Sequence, residues 1–78
     1  MLVNVSVVDR LGLRGNQSIA DAVARAEAEL GANGRVLLRP SGTEKMVRVM
    51  VEAPERHIAQ TIAEELASLV RSELRVSA

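Results

Sequence analysis

Two arginines bracket a short polar segment of this chain. Arg39 precedes Pro40-Ser41-Gly42-Thr43-Glu44-Lys45, and Arg48 follows two residues into the apolar run beyond it. Guanidinium groups are planar forks whose paired N–H donors match the oxygens of a phosphate. Ser41 and Thr43 offer hydroxyl donors, and Gly42 lets a ligand approach the backbone so that successive amides form an anion-holding nest. The spacing predicts a phosphate site built from Arg39, Ser41, Gly42, Thr43 and Arg48. The same residue types are common turn formers, so a solvated surface turn is the competing reading. Glu44 and Lys45 are supporting candidates: a carboxylate beside a bound phosphate serves better as a partner for Arg39, Lys45 or Arg48 than as a general base.

Little else in the chain offers chemistry. His57 stands off the apolar stripe of a helix and reads as a surface residue, and one histidine cannot make a multi-histidine metal site. Asn4 and Ser6 read as polar strand positions at a domain contact, and nothing raises them to a site. There is no Asp-x-Asp-x-Asp run, and Ser6, Ser18, Ser68, Ser72 and Ser77 lack the metal or base context of a nucleophile. No catalytic residue and no metal ligand is expected.

Composition narrows the function classes further. The 78 residues suffice for one small domain, and 47% hydrophobic with 26% charged residues is the balance of a folded chain. Phe, Tyr, Trp and Cys are absent, which removes base-stacking platforms, cation–π cages, disulfides and thiolate chemistry. Net charge is zero, so neither nucleic acid nor an anionic membrane is an expected partner. The positive charge is instead concentrated: residues 35–48 hold Arg35, Arg39, Lys45 and Arg48 against the single acid Glu44. No apolar run is long enough to span a bilayer and the start lacks a signal-peptide layout, so the expected location is the cytoplasm.

The elements that must position the loop follow from periodicity. Val3, Val5 and Val7 alternate against Leu2, Asn4, Ser6 and Val8, predicting a strand over Leu2–Val8. Asp9–Gln17 reads as a connection, with Leu11 and Leu13 able to add a short edge strand. Ser18 is the predicted N-cap of a helix with the stripe Ile19, Val23, Ala26 and Leu30, ended by Gly31 in the left-handed region. A second strand, Arg35–Arg39, must stop at Pro40, and a third spans Met46–Ala53; they form a hairpin around residues 40–45. Pro54 suits the first turn of a final helix whose stripe is Ile58, Ile62, Leu66 and Leu69 or Val70, with Ala59, Ala63 and Ala67 permitting close approach to a sheet. The expected fold is α+β, a small antiparallel sheet of three to four strands with two helices on one face, in the order β-α-β-β-α. Val47, Val49 and Val51 then face the helices. Met46, Arg48 and Met50 are left on the uncovered face, which implies an interface or a cleft.

The run Arg39-Pro40-Ser41-Gly42-Thr43-Glu44, its lead-in Gly34-Arg35-Val36-Leu37-Leu38 and the strand Val47-Arg48-Val49-Met50-Val51-Glu52 closely resemble the C-terminal domain of the α-D-phosphohexomutases, most of all the bacterial glucosamine-phosphate mutases. The resemblance implies a TATA-binding-protein-like fold over residues 1–78. It also implies that Arg39, Ser41, Gly42, Thr43 and Arg48 hold the non-reacting phosphate of a phosphosugar, a glucosamine phosphate. The family's transferring phosphoserine, its Mg²⁺ ligands and its sugar-reading loop lie on earlier domains, which are this domain's expected partners. No cofactor is expected here, and the chain alone is expected to be inactive, a last domain or fragment starting at Met1. Lys45 departs from the family's usual proline and adds positive charge at the loop's exit. The alternatives are a stand-alone phosphosugar-binding module, the same domain from a phosphomannomutase or phosphoglucomutase, or a structural or nucleic-acid module.

Overall fold

Three strands and two helices account for the fold in the computed structural model, which describes residues 1–7 and 10–74. Strand β1 (Leu2–Ser6) is followed by helix α1 (Gln17–Leu30), strands β2 (Arg35–Pro40) and β3 (Met46–Glu52), and helix α2 (Arg56–Glu73). The order agrees with the expected β-α-β-β-α. β3 lies in the middle of the sheet and pairs antiparallel with both neighbours, giving the order β1-β3-β2.

Alternation decides which face each side chain occupies. Val5, Val36, Val47, Val49 and Val51 are buried on the helix side. Against them α1 presents Ile19, Ala26 and Leu30, and α2 presents Ala59, Ile62, Ala63, Leu66, Ala67 and Val70. Five valines, Val5, Val47, Val49, Val51 and Val70, are fully enclosed. Burying such a side chain is worth about 1.5–3 kcal/mol, so this layer sets the sheet's orientation. The alanines of α2 bring its backbone close to the sheet, as their spacing predicts.

Several local expectations are corrected. The connection forms a 3-10 turn over Arg10–Gly15, not an edge strand, so Leu13 packs against the core from a helical turn. Val8 and Asp9 lie outside the described residues. The N-cap of α1 is Asn16 instead of Ser18: its Oδ1 accepts the Ile19 amide at 2.9 Å, while its Nδ2 donates to Glu73 Oε1 at 3.0 Å. Gly31 does take a positive φ of 58°, though with an extended ψ of −137°, and its N–H closes on the Glu27 carbonyl. Pro54 precedes α2, which starts at Arg56 after the extended Glu55. On α2 the stripe runs through Ala59 and Val70; Ile58 is 36% exposed. Strand β3 ends at Glu52, one residue short of the predicted end, and Pro40 is the last residue of β2.

Gly34 is required by packing. Its φ of −162° is open to any residue, but a Cβ there would collide with the Glu52 carbonyl oxygen and stand 3.2 Å from Leu30 Cδ1. Gly42 differs: a Cβ built on it meets nothing within 4 Å, and its φ is not positive. Gly34→Ala is therefore expected to lower the denaturation midpoint by about 1–3 kcal/mol of stability. Gly42→Ala should stay within about 0.5 kcal/mol of the parent chain. Chemical denaturation of the two variants checks both; a large loss at Gly42 would show that the loop glycine serves the fold.

Candidate functional site

The uncovered face of the sheet is organised in rungs by the register of its strands. Residues directly opposite one another share a face with Cβ atoms about 4.5–5.5 Å apart. One rung is Leu2, Met50 and Leu37; the next is Asn4, Arg48 and Arg39; Arg35 faces Glu52 beyond the apolar rung, and Ser6 faces Met46 beyond the charged one. The predicted uncovered face is thus present. Arg48 is exposed, whereas Met46 and Met50 are half-buried, a correction to the expectation that all three stand open. Met50 is flanked by Leu2 and Leu37, which are themselves 53% and 41% exposed.

Arg39 and Arg48 are cross-strand partners, so the nine-residue spacing read along the chain becomes direct adjacency. Neither makes a salt bridge among the described residues; the ion pairs found are Arg35–Glu52 at 3.7 Å and His57–Glu55 at 3.3 Å, both exposed. Glu44 consequently does not pair with Arg39, Lys45 or Arg48, contrary to expectation, and His57 lies on the surface of α2, as expected. Two like charges held opposite each other with no carboxylate between them attract an anion to the interval.

The β2–β3 loop closes on its own hydrogen bonds. Ser41 N–H donates to the Met46 carbonyl at 2.8 Å and Met46 N–H to the Glu44 carbonyl at 2.8 Å. The Thr43 and Glu44 amides converge on Ser41 Oγ at 3.4 and 3.2 Å. No loop residue takes a positive φ, and Ser41 Oγ is the acceptor on which these two successive amides converge. Both bonds to Oγ are longer than the usual 2.9–3.0 Å, so the two amides are held loosely.

A hollow of about 310 Å³ is lined by Arg39, Pro40, Ser41, Gly42 and Arg48 on its polar side and Leu2, Leu37 and Met50 on its apolar side. Four of the five predicted site residues therefore meet at one place. Thr43, Glu44 and Lys45 are exposed in the loop and do not line it. Leu2 and Leu37 were not foreseen as lining residues; pairing their strands with β3 through Met50 is what would have found them. Among the described residues no group of three or more His, Asp or Glu side chains is placed to hold a metal. No described helix is long and apolar enough to cross a membrane.

Residues 2–69 match the family described as phosphoglucomutase/phosphomannomutase, C-terminal domain. A phosphoglucosamine mutase of Thermobifida fusca is 59% identical over 78 residues, all of this chain and 17% of that protein. One from Saccharopolyspora erythraea is 60% identical over 70 residues, 90% of this chain and 16% of that protein. A solved structure of Aspergillus fumigatus N-acetylphosphoglucosamine mutase superposes with a TM-score of 0.81 at 29% identity, covering 97% of this chain and 16% of that one. The chain thus spans about a sixth of the length of the relatives it matches.

The unpaired arginines carry a stability consequence. Arg48→Met keeps the aliphatic stem and removes the like-charge contact with Arg39. In phosphate-free buffer of low ionic strength it should stabilise the chain by about 0.2–1 kcal/mol. The gain should shrink as salt is added. Thermal melts at two ionic strengths check it; a destabilised variant would mean that Arg48 is held by an attractive contact on this face.

Proposed function

The chain belongs to the phosphoglucomutase/phosphomannomutase family, as its C-terminal domain, and on that premise we propose that it is the phosphate-holding domain of a phosphoglucosamine mutase. The observation that carries this reading is the cross-strand pair Arg39–Arg48 with Ser41 and Gly42 lining the same hollow. The names of the bacterial relatives support the choice of a glucosamine phosphate as ligand.

In this reading the whole enzyme interconverts glucosamine 6-phosphate and glucosamine 1-phosphate through a 1,6-bisphosphate, and this domain holds the phosphate that is not being transferred. The intermediate must be accepted in either orientation. A pair of guanidinium forks suits that demand, because it reads a tetrahedral dianion and not the carbon that bears it. Ser41 Oγ turns from the loop amides to donate to a phosphate oxygen, and the anion takes its place as acceptor for the Thr43 and Glu44 N–H groups. Exchange of two long bonds for two charge-assisted ones favours the bound loop. Gly42, which the fold does not require, leaves room for the ligand against the backbone. Lys45, exposed beside the site, strengthens long-range attraction.

The clamp touches ground state and transition state alike, so its contribution is positioning and affinity, not covalent chemistry. The nucleophile, metal ligands and sugar-reading loop belong, in this reading, to the rest of the enzyme. Closing this domain over their cleft shields the transferring group from water.

Alone, the 78-residue chain is expected to bind inorganic phosphate weakly, on the order of millimolar, and to show no mutase activity. In the longer enzyme, Arg39→Ala should reduce kcat/KM by about 10- to 150-fold, the equivalent of roughly 1.5–3 kcal/mol for a hydrogen bond to a charged group, with the loss mainly in KM. Steady-state kinetics of the variant is the test. An unchanged kcat/KM would show that the loop is only a turn.

A further inference from the structure

The charged rung has a third member that the phosphate reading leaves unused. Asn4 on β1 pairs with Arg48, as Arg39 does from the other side, so the three side chains share one row across all three strands. Asn4 is exposed, and no side-chain hydrogen bond or ion pair occupies it among the described residues. The outward face of β1 borders the hollow: Leu2, two residues earlier on that face, lines it, and Asn4 stands just outside its lining residues.

Strand spacing sets what Asn4 can reach. Neighbouring strands lie about 4.8 Å apart, so a phosphate seated between Arg39 and Arg48 is centred over the β2–β3 interval. The interval between Arg48 and Asn4 lies one strand spacing further along the same row. That distance matches the span from a phosphorus atom to polar groups on the carbon skeleton that carries it. Asn4 brings a carbonyl acceptor and two amide donors but no charge. Set one strand spacing from the phosphate and carrying no charge, it suits a neutral hydroxyl, which offers a donor and an acceptor of its own.

We infer that Asn4 is a specificity residue that hydrogen-bonds a neutral polar group on the body of the phosphorylated ligand, while the arginine pair holds the phosphate. The inference rests on the phosphate reading above. It gives this domain a means of preferring a phosphorylated polyol or amino sugar to inorganic phosphate, from side chains of its own.

The test titrates the 78-residue chain and its variants with inorganic phosphate and with glucosamine 6-phosphate, following amide resonances. Asn4→Ala and the nearly isosteric Asn4→Leu should leave phosphate affinity unchanged and weaken glucosamine 6-phosphate about two- to tenfold, the range for one neutral hydrogen bond. Position 4 is exposed, so both variants should keep the parent's melting temperature. Equal weakening of both ligands would overturn the inference, since Asn4 would then serve only to set Arg48. Retention of the preference by Asn4→Leu would overturn it too, because packing would suffice. Arg39→Ala separates the two readings: if it leaves inorganic phosphate binding unchanged, the phosphate site itself is wrong, whatever Asn4 does.

Discussion

The antiparallel register of β2 against β3 is the constraint on which the rest depends. Side chains alternate with a period of two along a strand, so a slip of one residue would send every outward group inward. With the observed register, Val36 meets Val51 and Leu38 meets Val49 on the helix side, while Arg39 meets Arg48 and Leu37 meets Met50 on the other. Slipping β2 by one residue would turn Arg39 under the helices and expose Val36 and Leu38, at a cost the chain could not meet. Hydrophobic burial on one face thereby fixes an electrostatic pair on the opposite face. The core valines are in this sense the positioning residues of the site.

The outward face is costly to the isolated domain. Like charges are held together without a carboxylate between them, two loop amides make long bonds to Ser41 Oγ, and Leu2 and Leu37 remain open to solvent. A domain shaped for stability alone would replace the arginines and shorten the loop. Local choices that oppose stability while the core is conventionally packed mark a face selected for something outside the chain. In the proposed reading a bound phosphate would answer the first two costs at once, because it would neutralise the guanidiniums and accept from the amides. The exposed apolar rung continues from the same hollow.

Much of this was legible in the sequence because the informative signals are local. The alternation of Val47, Val49 and Val51 assigns the faces of β3, and the composition of residues 39–48 identifies the loop without any tertiary knowledge. What escaped depends on partners distant in the chain. Asn16 and Ser18 are equally good caps on paper; Asn16 is used, and it also reaches Glu73, 57 residues away. Ile58 outranks Ala59 on hydrophobicity, yet the helix turns Ala59 inward because the small residue lets the backbone approach the sheet. The hollow's apolar lining could not be read along the chain, since Leu2 and Leu37 meet Met50 only through strand pairing. Gly42 reads from sequence as a place for close approach, and only the structure shows that the Thr43 and Glu44 amides converge on the hydroxyl of Ser41.

In the proposed reading Arg39 and Arg48 act as one anion clamp. A double-mutant cycle measures it most directly: phosphate affinity of the chain, of Arg39→Ala, of Arg48→Ala and of the double variant, from amide shifts in low-salt buffer. If they act as one clamp, either single substitution removes most of the affinity and the second adds little, a coupling of about 0.5–3 kcal/mol. Losses that simply add would mean two independent surface charges. Equal affinity for all four proteins would contradict a phosphate site on this face.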